Sequence, residues 1–136
     1  MIKFVESHAN KESGCTEVVL SNNGELYRGY AQLAEGDNWS EIFGCRIAEI
    51  RATIKVLNDV ILKKRGELET IENFISTVKC YKNFDNSSKT AACLYRQLNR
   101  KKKEIEHLKE KRASLKKFIT DSIEMREKIE NRIAKK

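Results

Sequence analysis

Proline is absent from this 136-residue chain, aromatic side chains make up 7% of it, and histidine occurs twice. A chain without the strongest helix breaker argues against a loop-rich fold and favours long, uninterrupted helices. No apolar run approaches the roughly 18–20 residues that cross a bilayer, so no membrane-spanning segment is expected. The first eleven residues hold Lys3, Glu6 and His8 inside their only apolar stretch. No secretory signal is therefore expected, and the expected compartment is the cytoplasm. The four cysteines, Cys15, Cys45, Cys80 and Cys93, include no C-x-x-C pair, and His8 and His107 are isolated from them. Zinc needs four convergent ligands that usually arrive as close pairs, so no metal is expected. Reduced thiols are the default in a cytosolic protein. Cys80 and Cys93 flank a predicted turn, but spacing alone establishes no bridge between them. The six glycines are scattered and form no phosphate-cradling loop. No Ser-His-Asp, Cys-His or paired-carboxylate arrangement stands out, so neither an enzyme nor a cofactor is expected.

What is present is charge. Lysine and arginine number 27 and aspartate and glutamate 20, a net +7. Residues 1–40 carry −3, residues 41–80 carry +1 and residues 81–136 carry +9. The positive field belongs to the C-terminal third, which suits nucleotides, polyanions or acidic surfaces. Duplex nucleic acid fits less well. Acidic side chains are interspersed there, as in Lys103-Glu104, Lys109-Glu110 and Glu127-Lys128. Such mixing weakens a polyanion track and suits a small, localised anion.

The length is one domain's worth, and residues 1–136 are expected to form a single α+β domain. Residues 1–36 read as a β-hairpin region. Residues 1–5 are a short apolar run, and residues 15–21 are rich in β-branched side chains. Asn23-Gly24 then precedes a second run at residues 26–33, the strongest short-range hairpin signal. In that run Tyr27, Gly29, Ala31 and Leu33 alternate with Leu26, Arg28, Tyr30 and Gln32, so either face can be the buried one. So small a sheet must pack on something.

A long helix is predicted over residues 38–80, with Asn38 and Glu41 as a capping box. Its heptad rows are Ile47, Ile54, Ile61, Leu68, Ile75 and Ile50, Leu57, Lys64, Ile71, Val78. Nine of these ten are aliphatic, which favours a coiled-coil-like seam. Lys64, Arg65 and Gly66 interrupt it, either as a kink or as a solvated notch. Residues 81–88 read as a turn whose Ser88 caps a second long helix over residues 89–134. A turn this short makes the helices antiparallel. The second seam is poorer, because Lys101, Arg112, Ser122 and Arg126 fall on it or beside it. Ile47, Val56, Val60, Leu62, Phe118 and Ile123 spread over more than one face. A homo-oligomer is the expected cover for the surplus, with a sheet folded back over the helices as the alternative.

Candidate binding residues lie on the second helix and the turn. Arg96, Arg100, Lys103 and His107 recur at i, i+4, i+7 and i+11 along one stripe. It is either an anion track or a solvated outer face. Arg112 lies on the seam row, where a cation needs an acidic partner, a route to water or a bound anion. Tyr81 and Phe84, near Asn83 and Asn86, either stack on a nucleobase or cap the end of the helical hairpin.

The stretch Phe43-Gly44-Cys45-Arg46-Ile47-Ala48-Glu49-Ile50-Arg51-Ala52-Thr53-Ile54-Lys55 opens the first helix after a small β region. That arrangement resembles the phage-encoded Thoeris anti-defense family, over most of the chain. The resemblance implies a sponge in the host bacterial cytoplasm that captures glycocyclic ADP-ribose intact, between subunits of a homodimer or of a hexamer built from dimers. Some members look able to bind cyclic oligonucleotides at separate sites. It further implies that Phe84 stacks on the base, that Asn86 or Asn99 reads a polar edge, and that Arg112 and Lys116 clamp phosphates. Lys116 stands where a second arginine would be expected, and a lysine is a point charge rather than a bidentate fork. Arg96 and Arg100 are an alternative i, i+4 pair. Arg28, Arg46 and Arg51 are candidates for a second anion site. On this reading the partners are the nucleotide and a second copy of the chain, with no membrane and with nucleic acid disfavoured; a basic coiled-coil nucleic-acid-binding or adaptor protein is the alternative.

Overall fold

A computed structural model describes residues 1–32, 41–80 and 89–134. A three-stranded antiparallel sheet is followed by two long helices, an α+β fold. The strands are β1 (Ile2–Asn10), β2 (Cys15–Asn22) and β3 (Glu25–Gln32), in the spatial order β1-β2-β3. The helices are α1 (Glu41–Lys79) and α2 (Lys89–Ala134). The capping residues Asn38 and Ser88, the strand end at Leu33 and the turn at residues 81–88 lie outside the described residues.

The Asn-Gly signal forms the expected turn. Asn22 pairs with Glu25, which leaves Asn23 (φ 52°) and Gly24 (φ 83°) as a two-residue loop. Both central residues take positive φ, the geometry whose twist matches the flanking strands. A second hairpin joins β1 to β2 through residues 11–14. The Asn10 Oδ1 accepts from the backbone N–H groups of Glu12 (3.0 Å) and Ser13 (3.2 Å), and Gly14 N–H donates to the Asn10 carbonyl at 2.8 Å. With Gly14 at φ 69°, this loop is held by an Asx turn and a left-handed glycine. β1 is longer than its apolar start at residues 1–5 suggests. Its polar half, Glu6 to Asn10, pairs with β2 as well. All nine of its residues are exposed, so no inward-facing periodicity marks its extent.

The chain divides into two compact units, Met1–Leu57 with Arg112–Lys136, and Asn58–Lys111. In the first, the central strand β2 supplies Thr16, Val18 and Leu20 to a face packed on α1, and Val18 and Leu20 cluster with Ala48, Ala52 and Ala31. Small residues at i and i+4 let the helix lie almost on the sheet. A Cβ at Gly29 would collide with the Ala48 carbonyl and reach 2.5 Å from the Ala52 nitrogen. Part of the second apolar face of α1 is thus covered by the chain's own sheet. The helix also caps the outer edge of β3. Arg51 donates to the Tyr30 carbonyl at 2.7 Å and Lys55 to the Arg28 carbonyl at 2.5 Å. Side-chain donors on the open edge of a sheet occupy acceptors that would otherwise recruit another strand. The same unit pairs α1 with α2 antiparallel. The Arg46 guanidinium lies 5.4 Å from the Phe118 ring centroid, and that of Arg126 lies 4.5 Å from the ring of Phe43. Ile129, one heptad beyond the seam position of Ser122, is 50% exposed.

In the second unit, Ile61 and Ile75 of α1 and Ala91 and Ile105 of α2 are buried. α1 runs unbroken through residues 64–66, so the seam interruption is not a break. It is bridged by charge: Lys64 Nζ lies 2.8 Å from Glu104 Oε2, and Lys101 Nζ 2.6 Å from Glu67 Oε2. Lys79 sits over the ring of Tyr95 at 5.3 Å, which keeps the pairing antiparallel toward the end of α1. All four cysteines are free thiols. No described helix is long and apolar enough to cross a membrane.

Candidate functional site

Among the described residues, one helix lines a cationic concavity. α2 projects Arg96, Asn99, Arg100, Lys103, Glu104 and His107 at helical spacing, and these six line an open trough of about 610 Å³. Arg96 to Arg100 and Lys103 to His107 are each four residues apart, about 6 Å along the axis. The trough volume lies within the range of small-molecule sites, roughly 300–1,000 Å³. It presents two guanidinium groups, an ammonium, an imidazole and a carboxamide against one carboxylate.

That carboxylate is already engaged. Glu104 accepts a hydrogen bond from Lys64, and the ammonium of Lys101 stands 3.9 Å away. The Lys64 hydrogen bond and charge hold the Glu104 carboxyl below its ordinary value, with smaller help from Lys101 and Arg100. Glu67 is held low in the same way by Lys101, whose own pKa is raised chiefly by that hydrogen bond. The network therefore draws the one acidic group of the trough toward α1. The positive side chains of α2 keep the anion-attracting role.

Arg96, Asn99 and Arg100, expected from spacing or from the resemblance, thus stand together in this trough. Arg112 and Lys116 belong to the other unit, one turn apart on α2, with Arg112 half-buried and Lys116 exposed. Phe84 and Asn86 lie outside the described residues. The remaining three candidates are each engaged within the first unit. Arg28 is bonded to Glu17, and that contact raises its pKa. Arg46 stacks on Phe118, and Arg51 donates to Tyr30. Sequence reasoning missed the roles of Lys64 and Glu104. The available signal was a lysine on an otherwise aliphatic seam row, which demands an acid from the facing helix. Among the described residues no group of three or more His, Cys, Asp or Glu side chains is arranged to hold a metal ion. Burial raises the Cys45 thiol pKa, with Glu41 and Glu49 adding to the shift, which makes it a poor nucleophile.

No protein-family model, curated protein or solved structure matches this chain.

Proposed function

We propose that the chain sequesters a compact phosphorylated nucleotide and holds it intact. Glycocyclic ADP-ribose, the signal of Thoeris-type immunity, is the ligand that the family resemblance suggests, and cyclic oligonucleotides are further candidates. The observation that carries the reading is the trough on α2, where Arg96, Arg100, Lys103 and His107 converge while Glu104 is tied to Lys64. Guanidinium pairs grip phosphate oxygens through charge-assisted hydrogen bonds. Sequestration needs tight binding without turnover, and a nanomolar dissociation constant corresponds to about −12 kcal/mol. An open trough on one helix supplies the charge but not the enclosure. In this proposal the enclosure comes from a second copy, with Phe84 and Asn86 contributing the base contacts implied by the resemblance.

The test is calorimetric titration of glycocyclic ADP-ribose into the wild type and into the Arg96→Glu/Arg100→Glu variant. The titrated sample is then heated and its supernatant chromatographed. Nanomolar binding, intact ligand on release and at least about a hundredfold loss in the double variant are the expected results. Degradation products point to a hydrolase instead. Undiminished binding in the double variant removes the trough from the site, and Arg112→Glu then tests the Arg112–Lys116 pair.

A second reading draws on the openness of the trough. Cations about 6 Å apart along an exposed helix suit the backbone of an extended nucleic acid. Gel shifts across a salt series separate the two. Tight binding of nucleic acid with a steep salt slope favours this reading, while a shallow slope beside tight mononucleotide binding favours the sponge.

A further inference from the structure

Lys64 stands on α1, half-buried, and does not line the trough. Its Nζ lies 2.8 Å from Glu104 Oε2, so the contact crosses from one helix to the other. Glu104 does line the trough, four residues after Arg100 and three before His107. On a helix those separations put a carboxylate within reach of both cations. A Glu104 without its α1 partner therefore has two partners on its own helix, and both are groups that a phosphate in the trough needs. The geometry suppresses this internal competition. A base preceding an acid by four residues is the weaker orientation of such a pair, whereas Lys64 approaches Glu104 to hydrogen-bond distance. Of the cations that hold the Glu104 carboxyl low, Arg100 contributes least, after Lys64 and Lys101. Lys101 is no substitute for Lys64, because it is bonded to Glu67 at 2.6 Å and stands 3.9 Å from Glu104. Among the described residues, none of Arg96, Arg100, Lys103 and His107 is held in an ion pair.

We propose that Lys64 is a positioning residue for the trough: by holding Glu104 toward α1, it keeps Arg100 and His107 available to a phosphate. The inference rests on the ligand reading of the trough and adds a control to it. Anion affinity depends on α1 standing beside α2, although every side chain that lines the trough belongs to α2. With the helices paired, the Glu104 charge is satisfied from α1. With the pairing loosened, Glu104 turns to Arg100 and His107 and competes with the phosphate for them. The binding-competent trough is thus a property of the helix pair, and by linkage a bound anion favours that pairing in return. Residues 64, 100, 104 and 107 all fall in the unit Asn58–Lys111, so the device is complete within one compact body.

Calorimetric titration of the full chain with inorganic pyrophosphate, at about 20 mM salt, tests it. That probe carries phosphate charge without a base, and screening is weak at this ionic strength. The wild type binds, and Arg96→Glu/Arg100→Glu abolishes binding, which locates the probe in the trough. Lys64→Met, an unbranched apolar side chain on an apolar row, keeps the helical circular dichroism spectrum. It weakens binding about three- to fivefold, the strength of one competing surface ion pair. In a Glu104→Gln background the same Lys64→Met change alters affinity by less than about 1.5-fold, because no carboxylate remains to be released. Lys63→Met, an equal change of charge one residue away, also stays within about 1.5-fold of wild type. Equal weakening by Lys64→Met with and without Glu104 overturns the proposal, since Lys64 then does not act through that carboxylate. So does a Lys64→Met variant that binds like the wild type, or an equal loss from Lys63→Met. Failure of the ligand reading gives a different result. Pyrophosphate binding that is absent from the wild type, or that survives Arg96→Glu/Arg100→Glu, rejects the trough as the site and the proposal with it.

Discussion

At the scale of single residues, close approach decides more than side-chain character. Gly29 sits in a strand, where glycine is ordinarily a weakness because it packs nothing and loses much freedom on folding. Here its missing Cβ is the space into which α1 fits, with the Ala48 carbonyl and the Ala52 nitrogen directly over it. Backbone of a helix cannot swing aside as a flexible side chain can. Gly29→Val, which raises strand propensity, is therefore expected to destabilise the protein by about 2–3 kcal/mol or more, measured by chemical denaturation. An unchanged midpoint would mean that helix and sheet do not meet as described. Arg51 and Lys55 make the same point with charge. Arg51, a candidate for a second anion site, and Lys55, for which the sequence suggested no role, each donate to a carbonyl on the open edge of β3.

At the scale of elements, α1 and α2 combine an aliphatic seam with a polar interval. The heptad rows named the buried Ile47, Leu57, Ile61 and Ile75 correctly. Lys64 and Lys101 interrupt these rows and find Glu104 and Glu67 across the gap. Such half-exposed pairs are worth little as net stability, and their value lies in setting the register of one helix against the other. Gly66 lies beside this interval in an unbroken helix, with nothing near the place of a Cβ and no positive φ. Gly66→Ala is expected to stabilise by about 0.5–1 kcal/mol, because alanine loses less backbone freedom in a helix. A rise in thermal midpoint checks this, and a fall would indicate a close neighbour at that position.

At the scale of the whole molecule, charge governs the response to pH. Hydrogen bonds from Lys101 and Lys64 hold the Glu67 and Glu104 carboxyls below their ordinary value of 4.5. A carboxyl depressed by folding contributes stability above its unfolded pKa and loses it as pH falls through the folded value. Lys101 is raised above its ordinary 10.5, so its contribution is complete below that value and is lost only as pH rises through the folded one. The contribution of these pairs is therefore flat through neutral pH and declines below about pH 4.5. Thermal melts between pH 7 and pH 3 are expected to show a smaller acid-induced drop for Glu67→Gln/Glu104→Gln than for wild type. Equal drops would mean that the cross-helix pairs contribute nothing in solution.

The order of strands and helices, the Asn23-Gly24 turn and the seam of α1 were legible from the sequence alone. Each depends on short-range geometry: positive φ at two adjacent residues, or an aliphatic side chain every three and four positions. So was the cationic stripe of Arg96, Arg100, Lys103 and His107, because one helix carries it. Only the tertiary structure chose between the two faces of β3, since both alternate equally well and the choice turns on whether α1 can approach Gly29. It alone extended β1 through its polar half, tied Glu104 to Lys64, and left Phe118, Met125 and Ile129 in water. Those outcomes join residues distant along the chain, and local spacing cannot say which partner a side chain will meet.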